Sequence, residues 1–303
     1  MSASTAPNSV PVRMESPLAR FLGEFVASRI ALAAVVVACL LALAAILAPW
    51  ITPQNPYDLA ALNILDSRLP PGSVPTSGTT YWLGTDGQGR DMLSAIIYGL
   101  RISLGIGVGA ALIAGIIGAI LGLLASYVGG KTDAALMRLV DLQLSFPSIL
   151  VALMIIAGFG KGVFNVLLAL VTVEWAYYAR AIRASALVER RRDYIEAAEC
   201  LALPPSRILL RHLLPNCLPP LTVVASMQVA QAILLEATLS FLGLGVPVTQ
   251  PSLGLLVANG YQYMLSGQYW ITFFPGIALL IAVVTFTLIG DRLRIVLNPR
   301  LRR

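Results

Sequence analysis

The sequence predicts an all-α, polytopic membrane protein with six transmembrane helices, on three observations. First, of 303 residues 57% are apolar and 12% charged, with a mean hydropathy of +0.81. A soluble domain has about half and about a quarter. Second, six apolar stretches approach the roughly 20 residues that a helix needs to cross about 30 Å of hydrocarbon. Third, the basic residues fall unevenly between the loops on the two sides. This composition excludes a disordered chain and argues against a soluble enzyme. Three cysteines without a CxxC pair argue against a disulfide framework or a thiolate zinc site. A single histidine, His212, leaves no histidine cluster, so no metal site is expected.

Residues 1–29 form the first tail, in which Met1–Val12 is rich in Ser, Ala and Pro and is expected to be disordered. The first span is Ile30–Ile51, which carries no charge and lies too deep and runs too long for a cleavable signal. A long loop, 52–100, follows. The second span, Ile102–Val128, holds Gly105, Gly109, Gly118 and Gly122, two i, i+4 pairs that allow close helix approach. No strand precedes these glycines, so they do not form a dinucleotide fingerprint. Leu142–Phe159 and Val163–Tyr178 are short and nearly contiguous, and the Gly158–Gly162 seam makes them a helical hairpin. Leu221–Leu242 and Trp270–Ile289 complete the six, and 291–303 is the closing tail.

With the N-terminus inside, seventeen basic residues fall on inner segments against four (Arg68, Arg90, Arg101, Lys161) on outer ones. That bias places both termini in the cytoplasm. Charges spread over membrane-edge loops form no groove-facing surface, so nucleic acid is not an expected partner. Gly130-Lys131-Thr132 imitates the end of a phosphate-binding loop. Ala125 stands where that pattern needs glycine, so the chain is not expected to bind ATP.

The inner loop, 179–218, is the most informative stretch. Glu, Ala and Leu favour a helix from about Tyr194 to Leu201. Pro204-Pro205 ends it, Ser206 caps a second helix, and Pro215 stops that one near Leu214. The expected product is a helix-break-helix elbow whose small Ala197–Ala198 face lets another protein pack closely. A plain connecting loop is the other reading of the spacing.

These residues resemble the EAA loop of binding-protein-dependent ABC importer permeases: E-A-A, three residues, G, nine residues, I-x-L-P. Glu196-Ala197-Ala198 and Leu214-Pro215 match it, while Ala202 replaces the glycine and His212 the isoleucine. Arg211-His212-Leu213-Leu214-Pro215-Asn216 is similar to the peptide-importer branch. Alanine at 202 would cost about 1 kcal/mol or more in a left-handed conformation, and Pro204-Pro205 is expected to supply the bend instead. Other motifs resemble the C-type subunit of dipeptide, oligopeptide and nickel importers. They are Leu83–Ser94 (LGTDxxGRDxxS), Glu236–Gly245 (ExxLSFLGLG), and Gly290-Asp291-Arg292-Leu293-Arg294 with Asn298-Pro299-Arg300. The resemblance implies a type I (MetI-like) permease fold with its core at 101–290. It implies a second permease subunit as heterodimer partner, two ATPase subunits holding ATP and Mg, an extracytoplasmic solute-binding protein, and the bacterial cytoplasmic membrane. It also implies that Glu196, Ala197, Ala198, Ala202, His212 and Pro215 couple to the ATPases.

Asp86, Arg90 and Asp91 are close enough in sequence to pair with one another, as a self-contained ionic turn or as a docking element for the binding protein. Glu236 and Glu174 lie within spans, where an unpaired carboxylate costs several kcal/mol. Glu236 could line the pathway, pair with the partner subunit or fix a helix interface. Glu174, beside Trp175, is expected to snorkel to the inner interface. Asp141 reads as a cap or an ion-pair partner. The competing class is a proton-coupled secondary transporter relaying through Glu236 and Glu174, but neither inverted repeats nor midplane helix breaks are evident. One histidine in a loop leaves no His-based dyad in a span for an intramembrane enzyme.

Overall fold

The computed structural model describes residues 23–58, 62–74 and 80–297. The disorder expected for Met1–Val12 and the Asn298-Pro299-Arg300 motif fall outside them. Among the described residues the regular structure is helical, with two isolated backbone bridges, Ser73–Tyr81 and Thr85–Asp91.

Helix α1 (Arg29–Ile51) starts where the Ser28 hydroxyl accepts the Ala31 N–H at 3.3 Å and ends at Thr52, whose hydroxyl donates to the Ala48 carbonyl at 2.7 Å. Helix α2 (Met92–Val128) is 37 residues long and begins ahead of the predicted Ile102, inside the stretch assigned to the outer loop. Asp91 is its cap: the carboxylate accepts from the Ser94 N–H at 2.8 Å and from the Ser94 hydroxyl at 2.5 Å. Gly129, at φ 68°, ends it. Helix α3 (Gly130–Ser145) and α4 (Ser148–Phe159) meet at Phe146-Pro147 with a bend of 91°. After the turn at Gly160–Gly162, α5 (Val163–Glu189) runs 27 residues, well past the predicted end at Tyr178. Asn165 donates to the Phe159 and Gly160 carbonyls at 2.9 and 3.0 Å, closing the α4–α5 hairpin. Then come α6 (Asp193–Cys200), α7 (Pro205–Phe241), α8 (Leu253–Tyr261) and α9 (Trp270–Leu297).

Helices α1, α2, α7 and α9 are long and apolar enough to cross a membrane, and the bent α3–α4 pair makes a fifth if it is one span. Helix α5 has the length for a sixth, about 40 Å at about 1.5 Å per residue, but carries Glu174, Arg180, Arg183 and Glu189. The third predicted span is therefore not a straight rod: proline after Phe146 removes a donor and turns the chain.

Helix α2 packs most closely on α5, and glycines allow it. A Cβ at Gly118 would lie 2.6 Å from the Trp175 carbonyl oxygen, and one at Gly122 would lie 2.5 Å from that of Ala179. The other predicted pair does not act this way: Gly105 has nothing within 4 Å, and Gly109 meets a Leu167 methyl at ordinary contact distance. Two ion pairs join α3 to α5. Arg183 holds Asp133 through two bonds of 2.5 and 2.6 Å, and Arg180 meets Asp141 at 2.6 Å.

The second elbow helix does not stop at Pro215. It runs unbroken into the fifth span as α7, with a π-helical stretch at Ile208–Leu213. There the Leu214 N–H reaches back five residues to the Leu209 carbonyl. A turn wound this wide lets the helix pass a residue that brings no N–H. Ser206 makes no capping bond; Pro204 occupies the cap position and Pro205 the first helical one, where proline's missing donor costs nothing.

Candidate functional site

The elbow is built on one small helix. Asp193 and Glu196 occupy the first turn of α6, where carboxylates face the positive end of the helix dipole. Its inner face is Ile195 and Ala198, 0% and 4% exposed. They pack in a cluster with Ala119 and Leu123 of α2, Ile182 and Ala186 of α5, and Ile208, Leu213 and Cys217 of α7. Ala198 therefore faces the chain's own core, not a partner, because it lies three residues from Ile195 on the same helical stripe. Glu196, Ala197, Glu199, Cys200 and Ala202 are exposed, as is Pro215, while His212 is half-buried.

Ala202 adopts φ +51°. The Leu203 N–H donates to the Ala198 carbonyl at 3.2 Å and the Ala202 N–H to that of Glu199 at 2.9 Å. This pair of bonds is a Schellman motif, whose left-handed position is Ala202 and whose apolar contact is Leu203 on the Ala198 cluster. The prolines thus do not replace the left-handed residue; they follow it, because the reversal is complete before Pro204. Ala202→Gly is expected to raise stability by about 0.5–1 kcal/mol, the left-handed strain less the extra unfolded-state entropy of glycine. Thermal unfolding of the purified subunit measures it; an unchanged or lower midpoint would contradict strain at this residue.

Two clasps fix the elbow to the spans. Arg190 donates to the Ser126 and Tyr127 carbonyls at 2.9 and 2.7 Å and lies over the Tyr127 ring at 5.2 Å. It thus caps the end of α2 with a cation. Tyr194 donates to Glu189 at 2.6 Å and accepts from Asn216 at 3.0 Å, and Asn216 also donates to the His212 carbonyl at 2.7 Å. Sequence reasoning missed these residues. Arg190 was visible only as one basic residue of an inner loop, and no spacing rule links it to Tyr127.

At the opposite end, Leu83–Ser94 forms a knot over the start of α2. Asp86, Arg90 and Asp91 are all buried, yet no salt bridge joins them. The Asp86 carboxylate instead accepts the Gln88 and Arg90 N–H groups at 2.8 and 3.0 Å. Asp91 is spent on the α2 cap. The Arg90 guanidinium reaches across to the Val248 carbonyl at 2.9 Å. The expected ionic turn is thus a turn of carboxylates bonded to backbone. Burial pushes the Asp86 carboxyl up, opposed by those two N–H groups and the nearby guanidinium, and burial pushes Arg90 down. Gly84 and Gly89, at φ +79° and +78°, let the knot close: a Cβ would lie 2.6 Å from the Leu69 oxygen at one and 2.4 Å from the Asn63 oxygen at the other.

The two span glutamates differ. Glu236 is fully buried and accepts from the Ser103 hydroxyl at 2.9 Å and the Ser240 hydroxyl at 2.7 Å. Ser103 in turn accepts the Leu253 N–H at 3.2 Å, and Ser252 donates to Ser240 at 3.3 Å. The carboxylate thereby ties α2, α7 and the start of α8 within this chain. Glu174 does not snorkel. It is 2% exposed, and neither oxygen has a partner; because α5 continues to Glu189, it lies in mid-helix and not near an end. Among the described residues no group of three or more His, Cys, Asp or Glu side chains gathers to hold a metal.

Residues 114–303 match the family described as binding-protein-dependent transport system inner membrane component. Residues 16–71 match the N-terminal transmembrane domain of oligopeptide transport permease C. A Brucella suis protein that bears the name of a peptide transport system permease is 40% identical, covering 99% of this chain and 98% of its own. The di/tripeptide transport system permease protein DppC of Pseudomonas aeruginosa is 36% identical over 98% and 97%. In structure, the chain resembles a chain of the MetNI methionine ABC transporter, solved in inward-facing conformations. The TM-score is 0.56 at 23% identity, over 68% of this chain and 97% of that one, a likeness of fold.

Proposed function

The chain belongs to the family of binding-protein-dependent transport system inner membrane components, and from that premise we propose that it is the C-type permease subunit of an ATP-driven peptide importer. It forms half of the translocation pathway with a second permease subunit in the bacterial cytoplasmic membrane, both termini inside. Two ATPase subunits, which carry ATP and Mg, engage the elbow, and a solute-binding protein delivers at the other end. The chain supplies the gate and no catalytic residue. Peptides are the solute class borne in the relatives' names; nickel chelates and glutathione-like compounds are the alternatives within the same architecture.

The observation that carries this reading is the seating of α6. Its buried face belongs to one apolar cluster with residues of α2, α5 and α7, so a displacement of α6 is passed through that cluster to three long helices. Glu196 and Ala197, exposed on the other side, meet the ATPase; Ala202 shapes the turn, and His212 and Pro215 border it. Closure of the ATPase dimer on ATP pushes α6, the spans rock, and the pathway opens outward; hydrolysis resets it. This is a population shift between two packed states, each favoured by different contacts. At the far end, the Asp86, Arg90 and Asp91 knot holds the start of α2 against the loop at Val248 and gives the binding protein a stiff rim. Glu236 keeps α8 moving with α2 and α7.

Uptake into vesicles decides between this mechanism and a proton-coupled one. Peptide accumulation is expected to require ATP and to survive a protonophore. Accumulation that persists without ATP and collapses with the proton gradient would overturn the reading.

A further inference from the structure

Two polar side chains are sealed among the spans with nothing to bond. Both carboxylate oxygens of Glu174 and the hydroxyl of Tyr178 lack a hydrogen-bond partner, at 2% and 0% exposure. They are four residues apart and share one face of α5. The basic residues on the next turns do not serve them: Arg180 pairs with Asp141 and Arg183 with Asp133. A carboxylate without a partner is unfavourable in such surroundings, and ionisable groups among membrane helices mark solute or ion routes.

Beside Tyr178 runs a groove of about 300 Å³ between α2, α5 and α7, at the lower end of the size range of small-molecule sites. Gly115, Ala119, Leu214, Leu218 and Leu221 line it, and Tyr178 is the one lining residue with a polar side-chain atom. Its ring rests on Gly115, where no side chain backs it. The groove thus offers an apolar bed, with a phenol in its wall and a carboxylate one helical turn further along α5.

We propose that this groove, with Glu174 and Tyr178 at its head, is a binding site for the free amino group of an apolar peptide. The inference rests on the reading of the chain as a peptide permease and names the part of the solute that this subunit contacts. The ammonium donates to the Glu174 carboxylate and to the Tyr178 oxygen, and the apolar side chains lie along the leucines. In the conformation described here the Tyr178 ring lines the groove and Glu174 does not. A swing of that ring joins them, so the site is shut in one state and open in another, as a transport cycle requires.

The test uses the assembled importer, both permease subunits with their ATPases, in nanodiscs without binding protein. The probes are radiolabelled leucyl-leucine and its N-acetyl derivative. Wild type is expected to bind the free amine about tenfold more tightly than the acetylated peptide, the scale of a hydrogen bond to a charged group. Glu174→Gln is expected to erase that preference and Tyr178→Phe to reduce it, with the complex assembling in equal amount by size exclusion. Retention of the full preference in Glu174→Gln overturns the proposal. If that variant does not assemble, full preference in Tyr178→Phe overturns it. Uptake of leucyl-leucine by the wild-type system with its binding protein is measured alongside. Uptake without any amine preference in the nanodisc assay sinks the site and leaves the peptide permease standing, whereas no uptake of any peptide sinks both.

Discussion

Glu196→Lys is expected to lower solute-stimulated ATP hydrolysis by the assembled importer at least about tenfold, the scale of a lost charged contact at an interface, while membrane insertion stays at the wild-type level. The reason lies in how α6 divides its labour. Ile195 and Ala198 carry its packing, and Glu196 is exposed between them. An exposed substitution changes stability by about 0.5 kcal/mol or less, and placing a cation in the first turn of a helix adds about 0.3–1 kcal/mol. Neither unfolds a clasped elbow. The loss therefore reports on the surface offered to the ATPase. Ile195→Asp is the contrasting control: it buries a charge in the cluster shared by three spans, and its expected result is loss of folded protein. Stimulated ATPase activity at the wild-type level in Glu196→Lys would remove Glu196 from the coupling surface.

Glu236→Leu is expected to destabilise the permease by about 2 kcal/mol or more, since it strips two buried serine hydroxyls of their acceptor at about 1–3 kcal/mol for each unsatisfied group. Glu236→Gln keeps one carbonyl acceptor and is expected to lose less than half as much. Both effects are read from thermal unfolding in detergent. The consequence reaches beyond stability, because Ser103 also accepts the Leu253 N–H, so the start of α8 loosens with it. A leucine variant as stable as wild type would mean that the carboxylate holds nothing together in the folded state.

What could be read in advance follows physical lines. Four long spans were legible because about 20 apolar residues in a row have few alternatives. The hairpin turn was legible because Gly160 and Gly162 take φ values of +85° and +154° that other residues avoid. The start of α2 was not, because Arg101 breaks the apolar run while the true cap, Asp91, sits further back. Pro215 misled because proline is an ordinary helix stop, and a π-turn that admits it leaves no mark in composition. Ala202 was singled out for the conformation it does adopt, yet its outcome turned on two backbone bonds that no residue type announces. The acidic turn at Asp86–Asp91 misled in another way. Opposite charges close in sequence suggest pairing, but backbone N–H groups were nearer to the carboxylates than the guanidinium. Arg190, Tyr194 and Asn216 are contacts between distant segments, and a single sequence carries no such information.

The 91° turn at Phe146-Pro147 has a consequence for the bilayer. Helix α4 keeps 12 residues, about 18 Å of rod against about 30 Å of hydrocarbon. A rod of that length does not cross by itself, so the crossing is completed by α3 before it or by the turn at Gly160–Gly162 after it. Irregular backbone inside a bilayer survives only against protein or water, and the turn borders a hollow of about 450 Å³ shared by Lys161, Pro247 and Val248. The face of the molecule is dished there.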